Sequence, residues 1–173
     1  DGLLEIRKRT ETFRFRDVPS RPVPSLLRGF SAPVNLTIEM SDKDLEFLTV
    51  HDGDLFNRWQ AGQTLATRTI IQGVQALREG RRPRRSTRLA KALLPTLTDE
   101  RLDPAYRAQA LQLPSEADIA RELRRDVDAD RIHAARQLVL RGIARALHAE
   151  LLETYMRNQV RGAYRPDAES NGR

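Results

Sequence analysis

The sequence predicts a mixed, mainly α protein: a short antiparallel β segment (an incomplete β-sandwich) followed by an α-superhelical array of helical hairpins. Three observations predict it. Residues 3–18 and 34–40 alternate apolar and polar side chains, as strands with one wet face do. From Ser41 onward, apolar residues recur at helical spacing. Between them, residues 21–34 contain three prolines, which exclude a helix or a central strand.

The first predicted strands change phase. Apolar residues fall at even positions at Leu4 and Ile6 but at odd positions at Phe13 and Phe15. We therefore expect a turn or bulge near residues 9–12. The apolar face of the third strand consists of Val34, Leu36, Ile38 and Met40. Three short strands do not make a stable sandwich alone, so either the β part is incomplete or the helices cover it.

The proline-rich residues 21–34, called the crossing below, are too apolar for a flexible linker. Leu26, Leu27 and Phe30 lie among the prolines. A rigid, apolar segment between strands and helices is typical of an ordered connection packed on both. We expect these three side chains at the interface between sheet and helices.

The first helices have clear starts. Ser41 is an N-cap followed by acidic residues, which the helix dipole favours, and Gly53 is expected to end this helix. Asp54 caps a second helix that runs to Gly80. Its only tryptophan, Trp59, lies among apolar neighbours and is expected in the core. Pro83 then breaks an arginine-rich loop.

The remaining helices follow the same signals. Ser86 or Thr87 opens a third helix, which Pro95 is expected to kink or shorten. Asp103-Pro104 opens a helix to Leu113, and Pro114-Ser115-Glu116 opens a short one through Leu123. The last is expected to be the longest; it starts at Asp128 or Asp130 and runs towards Tyr164. Short one-sided helices in succession favour stacked hairpins, although no motif repeats at a fixed period.

The chain divides into two parts, and its composition excludes several classes of protein. The 173 residues divide into 1–40, the end of a small β-sandwich domain, and 41–173, the first part of a helical domain. The chain contains no cysteine, which excludes disulfides and thiolate chemistry and fits a cytoplasmic protein. No apolar run is long enough to span a membrane, and no signal peptide is visible. The net charge of +6 comes with a large excess of arginine over lysine.

The residue types of an active site are present but not in a catalytic pattern. His51, His133 and His148 lack the i, i+4 spacing of a zinc helix. Paired aspartates occur where helices should begin, so capping explains them. Neither a nucleophile elbow nor a phosphate-binding glycine loop occurs. The sequence therefore predicts no catalytic, cofactor-binding or metal-ligating residue.

The basic segment Arg78–Arg88 supports an alternative function. Its arginines could neutralise several phosphates, which would make the chain a scaffold module that binds nucleic acid or another polyanion. No aromatic residue interleaves with them for base stacking, so a solvated loop between helices is favoured and nucleic acid is not the expected partner.

Beyond these patterns, three stretches resemble the bacterial aminopeptidase N family, zinc metallopeptidases of the gluzincin clan. The resemblance is carried by residues 22–34 (PVPSLLRGFSAPV), 44–48 (DLEFL) and 51–63 (HDGDLFNRWQAGQ). It extends over essentially the whole chain. It implies that the chain is a piece of such an enzyme, spanning the end of its small β-sandwich domain and the start of its C-terminal helical domain.

The resemblance also implies what the piece lacks. The family's zinc-binding His-Glu-x-x-His helix and its Gly-x-Met-Glu-Asn motif do not occur in these residues. Zinc is therefore expected in the full-length parent, which removes N-terminal amino acids from peptides, and not in this segment. The expected partner is the catalytic domain of the same parent chain. Open strand edges could also make the isolated chain self-associate.

Overall fold

The computed structural model describes residues 4–84 and 87–159. Within these ranges the chain forms one 3₁₀ turn, Arg28–Phe30, and seven α-helices. The helices are α1 Asp42–His51, α2 Leu55–Arg78, α3 Thr87–Thr98, α4 Pro104–Leu111, α5 Glu116–Leu123, α6 Ala129–Ala146 and α7 His148–Arg157. The mainly helical class predicted from the sequence is confirmed.

Side-chain caps set most helix starts where the sequence predicts them. Ser41 and Ser115 each form a capping box, in which the serine accepts from a backbone N–H three residues on and an aspartate there accepts from the serine N–H. Aspartate side chains cap three other helices by accepting from backbone N–H groups of the first turn, with a proline at the first position of α4. These aspartates are Asp54, Asp103 and Asp128.

The core is built around α2, which packs against α1, α3, α4, α5 and α6. Ile70 and Val74 on α2 are fully buried, as is Ile119 on α5. Leu89 and Leu97 from α3 and Ile132 from α6 complete the centre of the cluster. α3 also contacts α7, and each described helix contacts the next along the chain except for α4 and α5.

The predicted long C-terminal helix is wrong. The helix that Asp128 caps ends at Ala146, and Leu147 leaves helical geometry with φ −116° and ψ 24° before α7 begins. No proline or glycine marks this break; Leu147 is instead buried in the core, so tertiary packing favours the bend. The predicted end at Tyr164 lies outside the described residues. Among the described helices, α2 is the longest with 24 residues.

The predicted strands are also absent from the described part of residues 4–41, where the backbone forms no strand ladder. Strand formation needs a neighbouring strand to satisfy its N–H and C=O groups, and three short segments do not provide a stable sheet. Within residues 4–41, the described backbone therefore contains no pairing that would use this alternation.

Smaller differences concern positions along the helices. α3 continues past Pro95 and ends at Thr98. Trp59, which was expected in the core, is only partly buried, whereas its neighbour Arg58 is buried. None of the helices in the described ranges is long and apolar enough to cross a membrane.

Candidate functional site: the junction of the crossing with α1 and α2

A polar network fixes the crossing to the loop between α1 and α2; we call it the junction. Asp52, the C-cap of α1, lies at its centre with a side chain that has no exposed surface. Ser25 Oγ donates to Asp52 Oδ2 at 2.6 Å, and the Asp54 N–H donates to Oδ1 at 2.9 Å. The Arg28 guanidinium lies 3.6 Å from the same oxygen. The buried carboxylate is therefore paired and hydrogen-bonded, as a buried charge must be.

Asn57, on the first turn of α2, holds the crossing from the other side. Its side-chain amide donates to the Leu26 carbonyl at 2.8 Å and to Ser25 Oγ at 3.0 Å. The next residue, Leu27, has a left-handed φ of 56°, which a branched side chain rarely adopts. The Asn57 bonds lie directly before this unfavourable turn and help to hold it.

Asp54 joins the helix cap to the crossing. Its carboxylate accepts from the Asn57 N–H at 3.0 Å, which caps α2, and from the Gly29 N–H at 2.9 Å. These backbone hydrogen bonds, first that of Asn57 and then that of Gly29, lower the pKa of Asp54 below its ordinary value. One side chain therefore stabilises both the helix start and the left-handed Gly29, whose φ is 61°.

An open apolar groove of about 740 Å³ lies beside the junction, between the crossing and α1–α2. Leu26, Leu27 and Phe30 line it and so lie against the helices, which is one side of the predicted interface. Phe30 is 72% exposed and Leu26 is also exposed, because the described residues form no sheet for the other side. Among the described rings, Phe30 contacts Phe56, with ring centroids 4.6 Å apart. The four apolar residues predicted on one face of residues 34–40 also line this groove.

Two buried arginines of the helical array were not predicted from the sequence. Arg58 Nε donates to the Thr49 carbonyl near the end of α1 at 3.0 Å, and Arg107 Nη1 donates to the Leu97 carbonyl near the end of α3 at 3.3 Å. Each arginine thus supplies a donor and a positive charge to a helix C-terminus. In the sequence, each is an arginine among apolar neighbours. A surface arginine has the same pattern, so the sequence does not indicate that these two are buried.

The histidines described next make local contacts with neighbouring side chains. His133 Nδ1 lies 2.8 Å from Glu116 Oε1, and His51 stacks on Phe47 with centroids 4.8 Å apart. Within residues 4–84 and 87–159, no group of three or more such side chains is positioned to hold a metal. The described residues therefore do not fit a zinc site.

The basic segment is partly engaged within the chain. Arg81 pairs with Glu79, and Arg88 pairs with Glu46 at 2.7 Å. Arg78 donates to the Asp126 carbonyl. These contacts occupy three of the arginines that the polyanion hypothesis needs; Arg85 lies outside the described residues.

Family models match both parts of the chain. One model, described as a domain of unknown function with ARM repeats (DUF3458_C), matches residues 42–173. The chain belongs to the DUF3458_C family. A second model, described as a domain of unknown function with an Ig-like fold (DUF3458), matches residues 1–39.

Relatives of this DUF3458_C chain confirm the resemblance to aminopeptidase N. It is 40% identical to aminopeptidase N of Caulobacter vibrioides over 94% of its length, and 36% identical to that of Escherichia coli over 98%. It also resembles the crystal structure of Legionella pneumophila aminopeptidase A in complex with aspartic acid, with a TM-score of 0.70 and 29% identity over 90% of the chain. The chain spans only 18% to 19% of the length of these proteins.

Proposed function

We propose that the chain is a non-catalytic structural segment of a zinc-dependent aminopeptidase N, whose parent removes N-terminal amino acids from peptides in the cytoplasm. The similarity to aminopeptidase N along nearly the whole chain carries this proposal. The segment divides into residues 1–40, the end of a β-sandwich, and residues 41–173, the start of the helical domain. Its partner is the catalytic domain of the same parent chain.

The junction supports the linking role. Ser25 and Leu26 of the crossing are held by Asp52 and Asn57 at the start of the helical array. Because Asp52 is fully buried and Asp54 bonds both α2 and Gly29, the connection cannot swing freely without breaking several hydrogen bonds. Such a connection transmits the orientation of residues 1–40 to the helices, which would form the cover of the active site in the parent.

The described residues contain no group of side chains that could hold a metal ion. The proposal therefore requires that zinc is bound by another part of the parent chain. The purified 173-residue chain tests this. It should release no chromogenic group from an aminoacyl nitroanilide with added zinc, above a control that contains a chelator. Zinc-dependent release would overturn the non-catalytic role.

The linking role needs a separate test in the longer chain. The upstream sequence should contain a His-Glu-x-x-His helix. In that full-length enzyme, the Asn57→Ala substitution should lower thermal stability and peptidase activity while the bound zinc stays unchanged. Full activity and unchanged stability would show that the junction does not position the helical cover.

A further inference from the structure

Nearly all of the chain's net charge lies in two arginine-rich stretches. Residues 78–88 and 121–131 together contain ten arginines, five acidic residues and no lysine, which gives a net charge of +5 out of the chain's +6. Neither stretch contains an aromatic residue. Such a concentration of one sign of charge attracts an anionic partner.

The structure brings these two stretches together. The Arg78 side chain, at the end of α2, donates to the carbonyl of Asp126 in the loop before α6, 48 residues further along the chain. Pro83, in the loop after α2, lies on the seam between α2 and α6: a Cβ at Gly73 would be 4.0 Å from the Pro83 Cβ and 3.2 Å from the Ala135 Cβ. The loop that follows α2 and the loop that precedes α6 therefore lie side by side.

Four arginines of these two loops are exposed to solvent. None of the ion pairs or side-chain hydrogen bonds in the described ranges involves any of them. Two of the neighbouring acids, Glu79 and Asp128, pair with other arginines and stay beside this surface. The four exposed arginines are Arg82 and Arg84 after α2, and Arg124 and Arg125 before α6.

Arg124 has a backbone conformation that an arginine rarely adopts. With φ 58° and ψ −39°, it is the centre of a γ-turn, in which the Arg125 N–H donates to the Leu123 carbonyl at 2.6 Å. Glycine adopts positive φ without a steric penalty, whereas the Cβ of an arginine is strained there. Strain of this kind is concentrated at functional sites, which gives the Arg124 side chain a reason to stand where glycine would be more stable.

We propose that these two loops form a binding surface for a linear polyphosphate. Each guanidinium can direct two N–H groups at the oxygens of one phosphate. A polyphosphate offers charge alone, which matches a surface without aromatic side chains, whereas single-stranded nucleic acid also needs rings on which its bases stack. Because a polyphosphate is flexible, it can follow both loops without the four side chains lying in one plane. The surface does not depend on the aminopeptidase proposal.

Fluorescence anisotropy of labelled inorganic polyphosphate, titrated with the 173-residue chain, measures this binding. Between about 50 and 200 mM sodium chloride, the logarithm of the binding constant should fall against that of the salt concentration with a slope of about −3, as four neutralised phosphates predict. Polyglutamate and duplex DNA of equal charge should each bind at least about tenfold more weakly, because carboxylates carry less charge and a duplex is rigid. A smaller preference over either polymer, or a slope near zero, would overturn the proposal.

A matched pair of variants locates the surface. Arg82→Gln combined with Arg84→Gln should weaken polyphosphate binding at least about fivefold and make the salt slope shallower by about 1. Arg141→Gln combined with Arg145→Gln removes the same charge from exposed positions in the second half of α6 and should leave the affinity within about twofold. Equal weakening by the two double variants would mean that net charge alone attracts the polymer, and the assigned surface would be wrong.

Arg124→Gly separates binding from stability. The substitution removes a guanidinium and relieves the γ-turn, so it should raise the melting temperature and still weaken polyphosphate binding at least about threefold. Arg125→Gln should weaken binding to a similar extent without the gain in melting temperature. Unchanged affinity in both variants, measured where each is folded, would remove the loop before α6 from the surface and overturn the proposal.

Discussion

The side-chain amide of Asn57 donates to the backbone carbonyl of Leu26, 2.8 Å away across 31 residues of sequence. This bond joins the first turn of the longest described helix to the proline-rich crossing. It lies one residue before a left-handed leucine and next to the buried carboxylate of Asp52. The order of the crossing therefore depends on a side chain that the helical array supplies.

Asn57→Ala should lower the free energy of unfolding by about 1–2 kcal/mol, since it removes two side-chain hydrogen bonds of about 1 kcal/mol each. It should also expose residues 21–34 to protease. Urea unfolding and timed proteolysis measure the two effects. Asn158→Ala is the control, because its amide bonds only the Thr154 carbonyl within its own helix end. Equal effects of both substitutions would contradict the role of Asn57.

The stability of the chain should fall in acid. Hydrogen bonds to the carboxylates, from the cap serines or backbone N–H groups, lower the pKa of four helix-capping aspartates, and the Arg101 side chain lowers that of Asp99 to about 2. The capping aspartates are Asp44, Asp54, Asp118 and Asp128. A carboxyl whose pKa is lower in the folded state stabilises the fold above its unfolded value of 3.8. That contribution is lost as the pH falls through the folded pKa, which for Asp99 means between about 4 and 2.

Urea unfolding measured from pH 5 to pH 2 gives the pH dependence. Asp54→Asn provides a matched variant, since asparagine also caps helices but does not titrate. It should unfold at a lower urea concentration than the wild type at pH 7, because its single acceptor oxygen cannot serve both the Asn57 and the Gly29 N–H, and it should show a shallower loss of stability in acid. A slope identical to that of the wild type would mean that Asp54 does not contribute to the acid transition.

The helix starts could be predicted from the sequence because capping is local. Helices begin after Ser41 and Ser115 as predicted, and each serine forms a capping box with an aspartate three residues on. The bend at Leu147 could not, because no nearby residue forces it and the cause is burial against other helices. The burial of Arg107 could not be predicted either, because it depends on a contact with the end of α3 that the sequence pattern around Arg107 does not indicate.

The junction was predicted only in part. The sequence indicated an ordered crossing with Leu26, Leu27 and Phe30 in contact with the helices, and these side chains do line a groove on α1 and α2. Of the polar residues that hold it, Asp52 and Asp54 were interpreted as caps alone, and Ser25 and Asn57 were given no role. Asp54 does cap α2, but its second bond to Gly29 joins residues 25 positions apart, which no periodicity reports.

Ile70→Ala should lower the free energy of unfolding by about 2–5 kcal/mol, because Ile70 is fully buried at the centre of the core around α2. The cavity it leaves is enclosed by helices that cannot all move inward. Leu140→Ala is the control; Leu140 is 42% exposed on α6 and should change stability by less than about 1 kcal/mol. The midpoints of urea unfolding measure both effects, provided that the dependence of the unfolding free energy on urea is unchanged. Similar losses of stability in the two variants would contradict a central position of Ile70 in the core.

Two glycines on α2 predict opposite responses to alanine. A Cβ at Gly62 would lie 3.5 Å from Thr49 Cγ2, an ordinary contact, so Gly62→Ala should raise stability by up to about 1 kcal/mol through helix propensity. A Cβ at Gly73 would lie 3.2 Å from the Ala135 Cβ, which has no rotamer through which to yield and is fixed on α6. The helices would have to separate, so Gly73→Ala should gain nothing or lose stability. Thermal unfolding of the two variants side by side is decisive: an equal gain at both positions would mean that the spacing of α2 and α6 is not set by Gly73.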